Sequence, residues 1–389
     1  MINYVITIIF KILPIGRANW LKILMLKQAG VEIGENLKVG NNRWNAEKKF
    51  CRFSDKGLDF VKNNIEVVYG GGASGLMGKF ADTIIINGGV INSIKNTAKL
   101  GKSDWSILEA DESDGSFIHV PPTYSIVTNI DREHMDFYKS MNELKDLFLE
   151  FVNKVPSFGK SFICIDDKNN AEMLKKIKIK NYYTYGTNPK SQFYIKNIKQ
   201  FKEFSEFDLL IKIPGKKKIS IKNFKIPLLG IHNIRNSTAA AALAFTIGIP
   251  KKIIKKGLNE FTGVQRRFNK IFSYRNVNFY DDYAHHPTEI KEVLSGVREA
   301  YKDHEIICIF QPHRISRLRD LKKEFSSSFK KADSVILCPV YAAGEKIKLG
   351  FSYNLFAKEI IKNSKVNLFL VEDQYQIAKL IKSNVYGKK

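Results

Sequence analysis

The sequence predicts an α/β protein built on mostly parallel sheets, arranged as successive domains. Three observations predict it. Short apolar runs rich in Ile, Val, Phe and Tyr alternate with helical stretches from TIIING (Thr83–Gly88) onward. Many of these runs end in a charged or glycine-containing cluster, where open parallel sheets carry their ligand loops. Five of the seven histidines (His134, His232, His285, His286, His313) lie in such clusters, a distribution that random placement would rarely give.

Taken in order, residues 1–82 do not read like the rest and form an unassigned N-terminal segment. Within it, QAGVEIGENLKVG (Gln28–Gly40) resembles one opening turn of a left-handed β-helix acyltransferase, without the repeats that fold needs. Then VVYGGGASGLMGKFADT (Val67–Thr83) runs from a short apolar strand into a glycine-rich turn and a helix start, which presents backbone N–H groups to a phosphate. It is not a Walker A loop: Phe80 follows Gly78-Lys79 where Ser or Thr should bind Mg²⁺. Residues 83–264 form a first α/β domain with strands at WSILEA, SIVTNI, SFICID and NYYTYG and a helix over Met141–Val155. In it, residues 191–226 alternate like an antiparallel insertion, and LLGIHNIRNSTAAAALAFTIG opens an Ala-rich helix. Residues 265–389 form a second α/β domain, with strand-to-loop units at NVNFYDDYAHHPTEI, EIICIFQPHR and ADSVILCPVY.

Composition narrows the class. At 389 residues, 44% hydrophobic and 12% aromatic, the chain has enough apolar surface for real cores and is not a disordered polymer. A net charge of +24 suits an anionic partner, but Lys is spread along the chain and no nucleic-acid module is recognisable. The dense basic run Lys216-Lys217-Lys218 falls in a hairpin. The four cysteines (Cys51, Cys164, Cys308, Cys338) are scattered without metal-ligand spacing, which fits a reducing, cytoplasmic setting. The apolar start of the chain is interrupted by Lys11 and Pro14, too early to span a bilayer and without the features of a signal peptide; a weak interfacial anchor is the other reading.

The chemistry concentrates between Glu109 and Asp136. Four carboxylates fall within six residues (Glu109, Asp111, Glu112, Asp114), and after a buried strand comes His134 among Asp131, Glu133 and Asp136. Carboxylates and a His at neighbouring strand ends suggest a divalent-metal site, with Mg²⁺ and phosphate chemistry implied by the hard oxygen donors; two solvated acidic loops are the plainer alternative. In GIHNIRN, Asn233 and Asn236 share one helix face, where they can cap the helix or bind a purine or ribose. Paired arginines in GVQRRF, with Arg267, suit a phosphate or a surface ion pair. DDYAHHPTE follows a strand and puts two carboxylates (Asp281, Asp282) and two imidazoles (His285, His286) at its end, a functional-site signal. QPHRISR, with His313 and Arg314, and VYAAGEK (Val340–Lys346) are two further strand-end clusters.

From about residue 83 to 375, the order EADESDGSF, VTNIDREHMD, GIHNIRN, GVQRRF, DDYAHHPTEI, QPHRISR, VYAAGEK resembles the Mur ligase family, and its alanine-adding branch in particular. The resemblance implies a central parallel-sheet ATPase domain, here incomplete, and a C-terminal Rossmann-like domain. It implies ATP and Mg²⁺ as cofactors and UDP-N-acetylmuramate and L-alanine as substrates, joined through an acyl phosphate in peptidoglycan precursor synthesis. It implies Mg²⁺ on Glu109, a second Mg²⁺ site at His134, and nucleotide contacts from Asn233 and Asn236. Arg267 and Asp282 are implied to bind ATP phosphate and ribose. His285, His286, His313 and Arg314 are implied to face the amino acid and acyl phosphate, with Glu109, His134, Arg267 and His286 carrying the chemistry. The chain departs from the family's pattern in three places: no N-terminal UDP-binding domain, no GTHGKT loop and no closing GAGDI-like strand are found. The glycine turn with Lys79 as its cation is one substitute for the missing loop. Other readings are a nucleotide-binding remnant that does not turn over and the related UDP-muramyl-peptide recycling ligase. The glycine segment also resembles the nucleotide-binding loop of a cytokinin-activating phosphoribohydrolase, whose second motif is missing.

Overall fold

The computed structural model describes residues 5–10, 66–69, 84–99, 105–135, 137–177, 181–274, 277–345 and 352–381. The Gln28–Gly40 turn, the Gly70–Gly78 loop, Lys79, Cys51 and Asp136 lie outside the described residues.

Strands β1 (Val5–Phe10) and β2 (Glu66–Tyr69) belong to different compact units: β1 joins the residues from Arg266 onward, and β2 joins those up to Gln265. Each unit is built on one sheet.

The unit containing β2 continues through β3 (Ile84–Ile91), β4 (Asn96–Lys99), β5 (Trp105–Leu108), β6 (Pro122–Val127), β7 (Lys160–Cys164) and β8 (Tyr182–Gly186). It ends with β9 (Phe193–Gln200), β10 (Ser205–Ile211) and β11 (Ile219–Ile226). Among the described residues these make a sheet in the order β11-β10-β9-β8-β7-β6-β2-β5-β3-β4. The middle, from β3 to β9, is parallel, and the two ends turn antiparallel. Residues 191–226, expected as an insertion, are therefore the antiparallel end of the same sheet. Parallel strands must be covered on both faces, and their sequences accordingly lack a polar face.

Helix α1 (Met141–Asn153) starts where Ser140 Oγ accepts the Glu143 N–H and Glu143 answers by accepting the Lys139 N–H. Helix α2 (Lys168–Leu174) is capped the same way by Asp167. Helix α3 (Ile231–Thr246) turns Ala239 to Ala244 inward, and these small side chains let the helix lie close to a layer containing Phe162, Tyr185, Phe193 and Phe224. Helix α4 (Lys251–Glu260) adds Ile254 and Leu258 to that core.

The other unit contains β12 (Asn269–Tyr274), β13 (Val277–Asp282), helix α5 (Pro287–Ala300), β14 (Glu305–Phe310), the short helices α6 (Ile315–Asp320) and α7 (Lys322–Ser326), and β15 (Ser334–Leu337). Helix α8 (Tyr353–Ser364), β16 (Asn367–Leu370) and helix α9 (Gln374–Ile381) follow. Its sheet runs β12-β13-β1-β14-β15-β16, with β12 antiparallel and the rest parallel. Strand β1, from the start of the chain, pairs with β13 on one side and β14 on the other. Cys308 and Cys338 are buried and free, as is Cys164 in the other unit, consistent with small core residues.

Candidate active site

In the first unit, β5, β6 and β7 run parallel in one sheet, with β2 between β5 and β6, so their carboxyl ends share one edge. The acidic motif begins where β5 stops. Glu109 reaches across to the neighbouring strand, where its Oε2 accepts the Gly88 N–H at 2.6 Å. Glu112 lies three residues on, and its backbone carbonyl accepts the Tyr138 hydroxyl. Tyr138 is itself buried, so it pins the acidic loop to the loop after β6.

That second loop carries His134 in a left-handed backbone conformation (φ 56°), a region a non-glycine residue enters only when its surroundings hold it there. The His134 carbonyl accepts the N–H groups of Phe137 and Tyr138, which provides the hold. Its Nε2 lies 3.9 Å from Glu112 Oε1. Glu112, Glu133 and His134 each offer a ligand atom, and the three lie within 4.8 Å of one another. Burial holds the Glu112 carboxyl above the usual carboxylate range; Asp111 and Glu133 add to this, while its own backbone amide and His134 oppose it. A donor set of two carboxylates and an imidazole fits a hard divalent cation. Glu109, expected as the metal ligand, is not one of these three. Both Glu112 and Glu133 stand in the motifs singled out by sequence, but strand pairing was needed to say which carboxylates meet His134.

A further polar motif of this unit lies at the start of α3. Gly230 precedes it at φ 90°, and a Cβ there would come within 2.6 Å of the His232 ring. Its N–H donates to Gln200 Oε1. Asn233 Nδ2 donates to the Leu229 carbonyl at 2.7 Å, so its amide secures the turn into the helix. Asn236 sits one turn further on, partly exposed, on the same face. Arg235 was not singled out by sequence. Its Nε donates to Asp166 Oδ2 at 2.7 Å, tying α3 to the end of β7. Burial opposes the Asp166 charge, but the Thr187 hydrogen bonds and Arg235 overcome it and hold the carboxyl below its usual range.

In the second unit, the loops after β13, β14 and β15 share one sheet edge. Asp282, expected at ribose, is buried, and its two oxygens accept the Phe268 and Ala284 N–H groups at 2.8 and 2.7 Å. It clasps GVQRRF to DDYAHHPTE. Burial pushes its carboxyl up to about 6, against the opposing pull of Arg267 and the two amides. His286 is also buried and caps α5: its Nδ1 accepts the Thr288 N–H, while Glu289 Oε2 accepts the N–H groups of His285 and His286. Arg267 stands over half exposed at 53%, 3.4 Å from Glu289 Oε1. Its neighbour Arg266 pairs with Asp281 and lies over the Tyr283 ring.

The imidazoles form a series with two tyrosines. Tyr283 meets His285 edge-on, His285 lies 6.4 Å from His313, and His313 lies 5.5 Å from Tyr341, measured between ring centres. His285, His313 and Arg314 are thus gathered at one edge. Glu345, Glu289 and Tyr341 join them, though sequence had marked only their motifs.

Two units, each built on a mostly parallel sheet with its polar motifs at the carboxyl edge, define a two-unit α/β protein. Solved structures share that architecture. The UDP-N-acetylmuramate–alanine ligase MurC of Thermotoga maritima superposes with a TM-score of 0.64 at 18% identity, covering 99% of this chain and all of that one. A murein peptide ligase from Psychrobacter arcticus gives 0.56 at 17% identity, with 98% and 93% covered. The Mur ligase middle-domain model matches residues 89–244, and the model of the Mur ligase glutamate ligase domain matches residues 266–386. A UDP-N-acetylmuramate–L-alanine ligase from Pelagibacter ubique is 77% identical over 308 residues, which cover 79% of this chain and 66% of that protein. One from Bartonella tribocorum is 40% identical over 301 residues, covering 77% and 63%. The chain belongs to the Mur ligase family. It spans somewhat less than two thirds of the length of these curated relatives. Among the described residues, no helix is long and apolar enough to cross a membrane.

Proposed function

We propose that this chain ligates L-alanine to UDP-N-acetylmuramate at the expense of ATP, through an acyl phosphate. The observation that carries the reading is the convergence of Glu112, Glu133 and His134 at a sheet edge, within the region that is 77% identical to a relative named for that activity. The substrate carboxylate attacks the terminal phosphorus of ATP and ADP leaves. The amine of L-alanine then attacks the acyl carbon, phosphate leaves, and the amine proton must be taken up.

Each residue has a physical task in this scheme. Glu112, Glu133 and His134 would hold Mg²⁺, while Glu109, at the start of the same acidic motif, accepts the Gly88 N–H of β3. Mg²⁺ bound there would neutralise charge on the phosphoryl group in transfer. Asn233 and Asn236 present carboxamides to the nucleotide. Arg267 is exposed enough to meet a phosphate with its planar fork. Asp282 and His286 act through the loops they hold, since their polar atoms accept backbone N–H groups. His285, His313 and Arg314 serve the amino-acid side, where an imidazole can take the amine proton. Lys79 follows the glycine run that succeeds β2, and β2 lies between β5 and β6; this order supports Lys79 as a phosphate contact.

The test is ADP release by the purified chain with ATP, Mg²⁺, UDP-N-acetylmuramate and L-alanine, omitting each in turn. Release that needs all four upholds the reading. Release that requires a peptide in place of L-alanine would make the chain a recycling ligase, and a folded sample that binds ATP without turnover would make it a binding remnant.

A further inference from the structure

We infer that Glu345 is a positioning residue that sets the orientation of His313 and Arg314 by holding the first turn of α6 from the neighbouring strand-end loop. The inference rests on the ligase reading for the roles of His313 and Arg314, and on geometry alone for the clasp.

Helix α6 has no cap of its own. Arg314 occupies the N-cap position with φ 66° and contributes no side-chain hydrogen bond there. A left-handed arginine is unfavourable and needs outside support. The exposed N–H groups of a first helical turn need acceptors as well. Both needs are met from residues 341–345, beyond β15. The Arg314 N–H donates to the Tyr341 carbonyl at 2.9 Å, and the Tyr341 N–H donates to the Pro312 carbonyl at 2.8 Å. Glu345 then supplies three bonds. Its Oε2 accepts the N–H groups of Ile315 at 2.8 Å and Ser316 at 3.0 Å, and its Oε1 accepts the Ser316 hydroxyl at 2.6 Å. Burial opposes the charge, but these bonds, followed by Arg314, hold the Glu345 carboxyl below its usual range.

His313 lies between the ties at Pro312 and Arg314, and Arg314 lies between the hold from Tyr341 and that from Glu345. The loop leaves β14 at Phe310, is tied at Pro312 and Arg314 to Tyr341, and is tied again at Ile315 and Ser316 to Glu345. Without Glu345, the Arg314 backbone loses the support on its C-terminal side. A shift of about one ångström in a binding group is enough to cost roughly two orders of magnitude in rate.

The experiment compares Glu345→Ala with Glu345→Gln in the full chain. Two readouts are used: steady-state kinetics with each substrate varied, and hydrogen exchange at the Ile315 and Ser316 amides. A glutamine can still accept the two N–H groups and donate to the Ser316 hydroxyl, so it keeps the clasp without the charge. In Glu345→Ala, the expected results are faster exchange at those two amides and a KM for L-alanine raised roughly tenfold or more, with KM for ATP little changed. Glu345→Gln should stay within about threefold of the native chain in both. Native kinetics in Glu345→Ala, or loss in Glu345→Gln as large as in Glu345→Ala, would overturn the positioning role. Should the native chain prove inactive, the ligase reading fails on its own terms. The exchange data still decide the clasp: unchanged protection in Glu345→Ala overturns it, and lost protection restored by Glu345→Gln upholds it.

Discussion

In the central unit, Glu112 and Glu133 bring their carboxylates together beside His134; in the C-terminal unit, Asp282, Glu289 and Glu345 direct theirs at backbone N–H groups. Both arrangements sit at the carboxyl edge of a parallel sheet, and both were visible in sequence as acidic strand-end motifs. They cost different things. Carboxylates that converge raise one another's charging cost, and a cation relieves it. Carboxylates on amides have that cost offset by the protein itself, more than fully at Glu345 and only in part at Asp282, and serve to fix loops. An acidic motif at a strand end therefore has two meanings, a ligand set or a clasp. The count of N–H groups each carboxylate accepts tells them apart.

The largest expected effect separates the two meanings directly. Glu112→Ala and Glu133→Ala should lower ADP release by roughly 10²–10³-fold, as removal of a transition-state charge contact does. Millimolar Mg²⁺ should raise the unfolding midpoint of the native chain, because a ligand that binds only the folded state stabilises it. The same Mg²⁺ should raise it less in these variants and undiminished in Glu345→Gln. A full Mg²⁺ shift in Glu112→Ala would remove the ligand assignment and make the cluster a solvated acidic loop.

The clasp at Asp282 can be read by pH. Its folded carboxyl titrates near 6, against 3.8 as the ordinary value. A raised value means the folded state holds its proton more tightly than the unfolded chain. That stability is fully present below pH 4 and is lost as pH rises through about 6, a change of about 3 kcal/mol at 1.36 kcal/mol per unit. The native chain should therefore lose stability relative to Asp282→Asn as pH climbs from 4 to 6 and lose no more beyond that. Denaturant titrations of both proteins across this range provide the measurement. A constant difference would show that Asp282 keeps an ordinary titration despite its burial.

Helix α3 offers a smaller test within the central unit. Arg235→Ala leaves the Asp166 carboxylate, 7% exposed, with only its Thr187 and Asn188 donors. Arg235 is itself 29% exposed, so the loss should be about 1–2 kcal/mol, below the range for a fully buried pair. Asp166 has a lowered carboxyl, so the stability it supplies is present above its ordinary 3.8 and fades as pH falls. The deficit of Arg235→Ala should shrink below pH 4. A deficit that persists there would mean the arginine contributes packing instead of charge.

Strand–helix alternation and the order of the motifs were legible in sequence because period and strand-end chemistry are local. Met141–Asn153 and Ile231–Thr246 form where the pattern put them. What was not legible depends on which strands become neighbours. Residues 191–226 alternate as any antiparallel strands do, and nothing local says that β9 joins β8 in the same sheet. Strand β1 pairs with β13 and β14, whose sequences lie more than 260 residues away. Glu109 leads its motif in sequence, yet it is Glu112 and Glu133 that meet His134, because Tyr138 holds the acidic loop by the Glu112 carbonyl. His286 stands out in sequence as one of a HH pair; its place at the N-cap of α5, with Thr288 and Glu289 as partners, was not legible there.

Arg267 should give the smallest effect on stability, and for that reason it sharpens the contrast between clasp and ligand. It lies 53% exposed with Glu289 at 3.4 Å, a surface pair worth about 0–1 kcal/mol. Glu289 keeps its bonds from the His285 and His286 amides when the arginine is removed. Arg267→Ala should therefore unfold within about 1 kcal/mol of the native chain. If the guanidinium meets phosphate, the same variant should raise KM for ATP, and Arg267→Lys should restore the charge without the planar fork and recover only part of the loss. Full recovery by lysine would reduce Arg267 to a point charge near the nucleotide. A large stability loss with unchanged KM would place it among the clasps, alongside Asp282, and leave the phosphate without its proposed arginine.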